Sequence, residues 1–198
     1  STTPTVAIVG GTLWGNRGAE AMLVTTIGKL RETFPQSKFY VYSYYPEVDR
    51  QLIRDSSIEI RDGRPISLVL KLFIPAALDY ILRLAGLRLP DFLLGPDARA
   101  LRSACVTIDI GGIVFADGRL VFLLYNVFTI WPALLFRVPV VKLSQALGPF
   151  RSKTNRLLGK LFLSHCRKIF ARGSDSYRHL QELALPTAVI SQASDIVF

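Results

Sequence analysis

Apolar and polar positions alternate along this chain in short blocks. Apolar runs bounded by small or turn-forming residues predict strands: TVAIVG (5–10), KFYVYSYY (38–45), CVTIDIGG (105–112), VPVVKLSQ (138–145), RKIFARG (167–173) and TAVIS (187–191). Helical patterns lie between most of them. The first runs from Gly18 to Thr33 on apolar Ala21, Met22, Ile27 and Leu30, and Pro35 closes it. Others fall near 47–54, 66–86, 97–103, 120–136, 154–166 and 174–184. Strand–helix alternation of this kind predicts an α/β fold, a Rossmann-like parallel sheet with helices on both faces. No fixed-period repeat or low-complexity tract interrupts it. The pattern ends on SDIVF, just after a strand, so residues 1–198 are expected to form one Rossmann-like domain whose second, C-terminal partner domain is absent.

Two stretches are apolar enough to raise a membrane question. LVFLLYNVFTIWPALLF (120–136) carries no charge, but Asn126, Thr129 and Pro132 interrupt it and a strand follows at once. A buried crossover helix is the expectation there. In ISLVLKLFIPAALDYILRLAGLRLP (66–90), Lys71, Asp79 and Arg83 fall near one helical face and nearly everything else is apolar. So narrow a polar stripe suits a helix lying in a membrane interface or under another protein surface; the plainer alternative is a helix packed beneath a loop.

Composition narrows the picture. Half of the chain is hydrophobic and a fifth is charged, which excludes disorder. The formal net charge of +9 favours anionic partners, and from Arg151 to Arg172 there are seven basic residues and no acidic one. Lys153, Arg156 and Lys160 read either as a solvated helix face or as a contact for an anionic surface. Nucleic acid is disfavoured, because the basic residues lack interleaved aromatics or a docking motif. Cys105 and Cys166 sit far apart inside apolar stretches, reading as buried thiols of a reducing cytoplasm.

Candidate chemistry gathers at four strand ends, where ligands of open parallel sheets collect. These are GGTLWGNRGAE (10–20), GGIVFADG (111–118), SQALGPF (144–150) and ARGSDS (171–176). Backbone N–H groups at helix starts, with Arg17 or Arg172 nearby, suit a phosphate or carboxylate. Asp109, Asp117, Glu20 and Asp175 are candidate proton donors or acceptors. Plainer readings stand beside these. The glycines between 10 and 18 also serve a tight turn, and they do not form G-x-G-x-x-G. Glu20 suits a helix dipole, while Asp175, Ser174 or Ser176 suit a cap. His165 and His179 read as packing residues, with no metal-ligand spacing between them.

Taken in order, the four ends resemble the amino-terminal half of the polysaccharide pyruvyl transferases. The family's G-N-x-G-[DA]-E-A element is matched by Gly15, Asn16, Gly18, Ala19, Glu20 and Ala21, and its G-G-x-x-[FL]-x-D element by Gly111, Gly112, Phe115 and Asp117. Its G-Q-x-x-G-P is matched by Gln145, Gly148 and Pro149, with Ser144 in place of the leading glycine, and its A-R-D-x-x-S by Ala171, Arg172 and Ser176. SDIVF resembles its D-P-A-F run, placing Asp195 and Phe198. Gly173 stands where the family has an acid, and Ile110 where it has the first glycine of a triplet.

The resemblance implies a GT-B-like two-domain transferase that moves a pyruvyl group from phosphoenolpyruvate onto two hydroxyls of a sugar, giving a cyclic ketal. On that basis Arg172 would hold the donor's carboxylate or phosphate. Asp117 would contact acceptor hydroxyls or act as base, making these two the catalytic candidates. Gly15, Asn16, Gly18, Glu20, Gly111, Gly112, Gln145, Gly148, Asp175 and Ser176 would line the substrate cleft, with Asp175 the replacement for the missing acid. No metal or resident cofactor is implied. Expected partners are a sugar acceptor, free or lipid-linked, and an anionic membrane surface met through 66–90, at the inner face of the membrane. Two other readings use the same architecture: a sugar-nucleotide glycosyltransferase half, and a non-catalytic membrane-associated scaffold for glycan assembly. Oligomeric state is not assigned.

Overall fold

Every strand pairing among the described residues is parallel. The structure, a computed structural model, describes residues 3–111, 113, 114 and 120–196, with side chains for all of these except 113, 114 and 120–122. Strands β1 (Thr5–Val9), β2 (Lys38–Ser43), β3 (Ile58–Asp62), β4 (Val106–Asp109), β6 (Val140–Leu147), β7 (Lys168–Arg172) and β8 (Ile190–Ala193) lie in the order β3-β2-β1-β4-β6-β7-β8, and the short β5 (Ile113–Val114) pairs with β6. The chain winds outward from β1 to β3, then crosses back to β4 and winds outward the other way. Between β1 and β4 the direction reverses, which is where such sheets open a crevice beyond their carboxyl ends. The α/β Rossmann-like expectation is met.

Alternation along β1 places the two cores. Val6 and Ile8 pack with Met22, Leu23 and Ile27 of α1 (Arg17–Thr33), while Ala7 and Val9 join the larger core on the other face. That larger core takes in Val127, Ile130 and Ala133 of α6 (Leu120–Leu135), all buried. The 120–136 stretch is therefore the buried crossover helix its interruptions suggested. The other helices are α2 (Pro46–Leu52), α3 (Pro65–Ser67), α4 (Ile74–Leu84), α5 (Pro96–Ser103), α7 (Lys153–Leu163) and α8 (Gly173–Glu182). A π-helical turn, Leu68–Phe73, joins α3 to α4. Pro75 lacks an N–H for the helical ladder, and the widened turn just before it absorbs the mismatch. Among the described residues, the continuous helix Pro65–Leu84 is long and apolar enough to cross a membrane by length and composition.

Three sequence expectations are corrected. IEIRD was not anticipated as a strand; it forms β3 at the sheet edge, where Glu59 and Arg61 can stay partly solvated and the apolar signal is reduced to two isoleucines. The last strand begins at Ile190 rather than at 187, because Thr187–Val189 form the turn that brings the chain into register with β7. Cys105 is exposed rather than buried, since it precedes β4 at the amino edge of the sheet; Cys166 is buried, which pushes its thiol up to about 11.

Candidate functional site at the carboxyl edge of the sheet

The reversal point is held by very close backbone contact. Gly10 leaves β1 at φ +79°, and a Cβ there would lie 2.6 Å from the Gly111 nitrogen and 2.9 Å from Asp109 Oδ1. Only glycine allows the β1 and β4 exits to abut in this way. Asp109 closes β4: its Oδ1 accepts the Gly111 N–H at 2.9 Å, and its Oδ2 accepts from Lys142 Nζ. Asp109 and Lys142 are register partners on β4 and β6, and both are buried. Gln145 adds a third link, donating from Nε2 to the Asp109 carbonyl at 2.9 Å, while its buried Oε1 has no hydrogen-bond partner. Burial, with the nearby Asp109 carboxylate and Tyr44 adding, raises the Tyr125 hydroxyl well above the usual tyrosine range. That hydroxyl donates to the Gly63 carbonyl at 3.2 Å.

The β1–α1 loop is fastened by a residue the sequence did not single out. Asp49 of α2, fully buried, accepts from Thr12 Oγ1 (3.0 Å), Leu13 N–H (3.1 Å), Trp14 N–H (2.9 Å) and Ser43 Oγ (2.6 Å). One carboxylate thus ties the loop after β1 to the end of β2. Beyond it, Gly15 turns at φ +79° against the Tyr45 ring, and Asn16 caps α1, its Oδ1 accepting the Ala19 N–H at 3.1 Å. Gly18 and Glu20 lie in the first turn, Glu20 exposed at the positive end of the helix. Tyr44 packs edge-on against Tyr45 (5.1 Å) and Tyr125 (6.2 Å), and Trp14, Tyr44 and Tyr45 leave much of their surface to solvent.

On the other side of the reversal point, β6 carries a bulge between Lys142 and Gln145, with Ser144 at φ +42° donating from Oγ to the Ser194 carbonyl. Leu147 is gripped from α8: its N–H donates to Ser176 Oγ at 3.1 Å and its carbonyl faces His179 Nδ1 at 3.1 Å. A Cβ on Gly148 would meet the His179 side chain at 2.7 Å, so this glycine admits α8 to the strand end. Arg172 ends β7 and pairs through Nη1 with Asp195 Oδ2 at 2.7 Å, both partly exposed. Gly173 follows at φ +74°, and Asp175 pairs with Arg178 at 2.8 Å on the exposed face of α8.

Because all strands run the same way, the residues after β1, β4, β6 and β7 open on one edge. Gly15, Asn16, Gly18 and Glu20 stand beside one exit. Gly111, Gln145 and Gly148 stand at the centre, and Arg172, Asp175 and Ser176 stand at the far side. Asp117, Gly112, Phe115 and Phe198 lie outside the described residues. Several motif positions also carry local structure: Asn16 as a cap, Gly148 and Ser176 in seating α8. Asp49 and Lys142 escaped the sequence reading. Lys142 left a trace, a cation inside the apolar run VPVVKLSQ, since a buried charge demands a partner. Among the described residues, no three His, Cys, Asp or Glu side chains come together as metal ligands.

A family model described as polysaccharide pyruvyl transferase matches residues 16–198. No curated protein matches the chain.

Proposed function

Because the chain belongs to the polysaccharide pyruvyl transferase family, we propose that its sheet edge takes part in moving a pyruvyl group from phosphoenolpyruvate to two hydroxyls of a sugar acceptor. The carrying observation is the common edge itself: the four motif-bearing exits, with the Arg172 guanidinium among them, open on one side of a parallel sheet. Atom balance sets what the site must do. A proton goes to the methylene carbon of the donor as the first hydroxyl oxygen bonds to C2. The second hydroxyl then bonds to the same carbon, the C–O bond to phosphate breaks, and inorganic phosphate leaves. One proton donor and one acceptor are required, with cationic or N–H stabilisation of the departing phosphate.

Arg172 is assigned to the donor's carboxylate or phosphate, using the guanidinium edge not engaged by Asp195. Asn16, Glu20, Gly111 and Gln145 shape the cleft. The exposed ring faces of Tyr44 and Tyr45 suit the C–H face of the acceptor sugar, and Asp117 remains the assigned acceptor contact or base. In this reading a second Rossmann-like domain faces the same edge, as the resemblance implies. The membrane surface is the proposed second partner, met through 66–90 from the cytoplasmic side and giving access to a lipid-linked acceptor.

The deciding assay offers the purified protein phosphoenolpyruvate or nucleotide-sugars with a panel of glycans and follows release of phosphate or nucleotide. Acceptor-dependent phosphate release, lost in Arg172→Ala through weakened donor binding, is expected. Nucleotide release instead would establish the glycosyltransferase alternative, and normal donor affinity in Arg172→Ala would remove that residue's role.

A further inference from the structure

Helix Pro65–Leu84 buries Leu68, Leu72 and Ala76 in the core yet also leaves an apolar stripe facing outward. Ile66, Leu70, Ile74, Leu78, Ile81 and Leu84 recur every three or four residues, and all are exposed. Ser67, Asp79 and Arg83 turn the other way. Asp79, 1% exposed, accepts from the Leu89 N–H at 3.0 Å and from Arg102 at 3.1 Å, and pairs with Arg83 at 3.1 Å; Lys71 reaches Asp62 at 2.8 Å. These bonds anchor the helix to the domain, because withdrawing it into a bilayer would strand the Asp79 carboxylate in hydrocarbon. The apolar stripe continues past the helix end in Leu87, Phe92 and Leu93, with Phe92 79% exposed.

Between Leu87 and Phe92 in sequence lie Arg88 and Asp91, which line a surface cavity of about 420 Å³ together with Arg61, Arg99 and Arg102. Four guanidinium groups meet one lining carboxylate. Arg102 is occupied by Asp79, Asp91 and the Leu89 carbonyl. Arg61 stacks over Tyr40 and pairs with Glu59 and Asp97, but its buried Nε has no hydrogen-bond partner. Arg99 uses one nitrogen on the Leu94 carbonyl at 3.1 Å, and Arg88 makes no ion pair among the described residues. Unspent donors in a cationic hollow call for an anion with several acceptor oxygens, and a phosphate has that geometry.

We propose that this hollow binds the phosphate of an anionic phospholipid headgroup while Leu87, Phe92, Leu93 and the outward stripe of the 65–84 helix enter the interface beside it. This deepens the membrane part of the function proposed above and is independent of the donor chemistry. A headgroup phosphate arrives with apolar chains next to it, matching a basic cavity rimmed by bare apolar side chains. The net charge of +9 acts in the same direction.

The test is flotation with vesicles of phosphatidylcholine alone and with phosphatidylglycerol at three parts in ten, for the wild type, Arg88→Glu/Arg99→Glu and Phe92→Asp/Leu93→Asp. All substituted side chains are exposed, and circular dichroism confirms folding. Expected results are phosphatidylglycerol-dependent flotation of the wild type, a loss of about tenfold or more in each variant, and steeper loss at high salt in the wild type. Phosphate release from phosphoenolpyruvate in the presence of a soluble glycan acceptor is read on the same variants and should be unchanged, so failure of the membrane claim and failure of the transferase claim are told apart. Equal flotation on both vesicle types, or wild-type flotation of either variant, overturns the proposal. So does the absence of flotation from a protein that inorganic phosphate protects in a thermal scan, or that Phe92→Asp/Leu93→Asp converts from dimer to monomer.

Discussion

Replacing Lys142 by methionine tests whether the reversal point rests on a buried ion pair. Methionine keeps most of the lysine stem's volume, so packing changes little and the loss is electrostatic. Asp109 would keep its Gly111 N–H bond but face no cation from its register partner. Removing one member of a buried pair costs about 3–5 kcal/mol. A ceiling applies, because the stranded carboxylate can instead take up a proton. For an ordinary aspartate that uptake costs about 4 kcal/mol at pH 7 and about 1.5 kcal/mol at pH 5. The sign follows from proton counting: the folded variant binds a proton more readily than its unfolded chain, so its stability falls as pH rises. Urea titrations of wild type and variant at pH 7 and pH 5 should therefore show a penalty near 4 kcal/mol shrinking by more than half. Asp109→Asn added to Lys142→Met removes the charge while keeping an acceptor for Gly111, and should recover most of the loss. A penalty below about 1 kcal/mol, or one equal at both pH values, would refute the reasoning.

Asp49→Ala removes the acceptor of four hydrogen bonds and should destabilise by about 3 kcal/mol, with the Leu13 and Trp14 amides exchanging with solvent much faster than in wild type. Thiol titration with a colorimetric disulfide reagent at pH 8 should consume Cys105 at once and Cys166 only after denaturant is added, because burial holds the Cys166 thiol up to about 11. Asp62 should contribute to acid sensitivity. Burial alone would raise its carboxyl, but bonds from Arg64, Lys71 and Ser67 outweigh that and hold it well below the usual range. Its stabilisation is then present above the unfolded value of about 4 and is lost as pH falls below it, so Asp62→Asn should flatten the acid limb of the stability curve.

Most of the strand–helix order was readable because apolar runs ending in Gly, Asn or Ser mark where a strand must stop. The motif glycines were readable for the same reason, and the structure supplies their cause in the Gly10–Gly111 and Gly148–His179 contacts. β3 was not readable. An edge strand needs only Ile58 and Ile60 inward, too few to register against Glu59, Arg61 and Asp62. Asp49 gave no signal either, since nothing local distinguishes an aspartate that solvates a helix from one that accepts bonds from 37 residues away. For the 65–84 helix the stripe was legible but its direction was not. Periodicity separates two faces; only Arg102 and Leu89, distant in sequence from Asp79, decide that Asp79 turns inward.

Of the three departures from the family pattern, Ser144 and Ile110 fall at positions governed by backbone shape, while Gly173 also removes a carboxylate. Ser144 stands where the pattern has glycine, and its φ of +42° explains that glycine: the bulge in β6 needs a left-handed residue. Serine accepts this strain and gains a bond from its hydroxyl to the Ser194 carbonyl, tying β6 to the segment that delivers Asp195 to Arg172. Gly173 is the converse, with φ +74° and nothing within 4 Å of where a Cβ would sit, so an aspartate there would meet backbone strain but no steric barrier. Ile110 replaces a glycine yet is fully buried, and a Cβ on neighbouring Gly11 would fall 2.7 Å from its side chain. Ser144 and Ile110 are thus accommodated across the fold, by a hydroxyl bond to the Ser194 carbonyl and by Gly11, and Gly173 by its relaxed backbone. The charged framework of Asp109 with Lys142 and Arg172 with Asp195 runs undisturbed between them. These accommodations preserve the shape of the edge, so the departures by themselves do not mark it as inert.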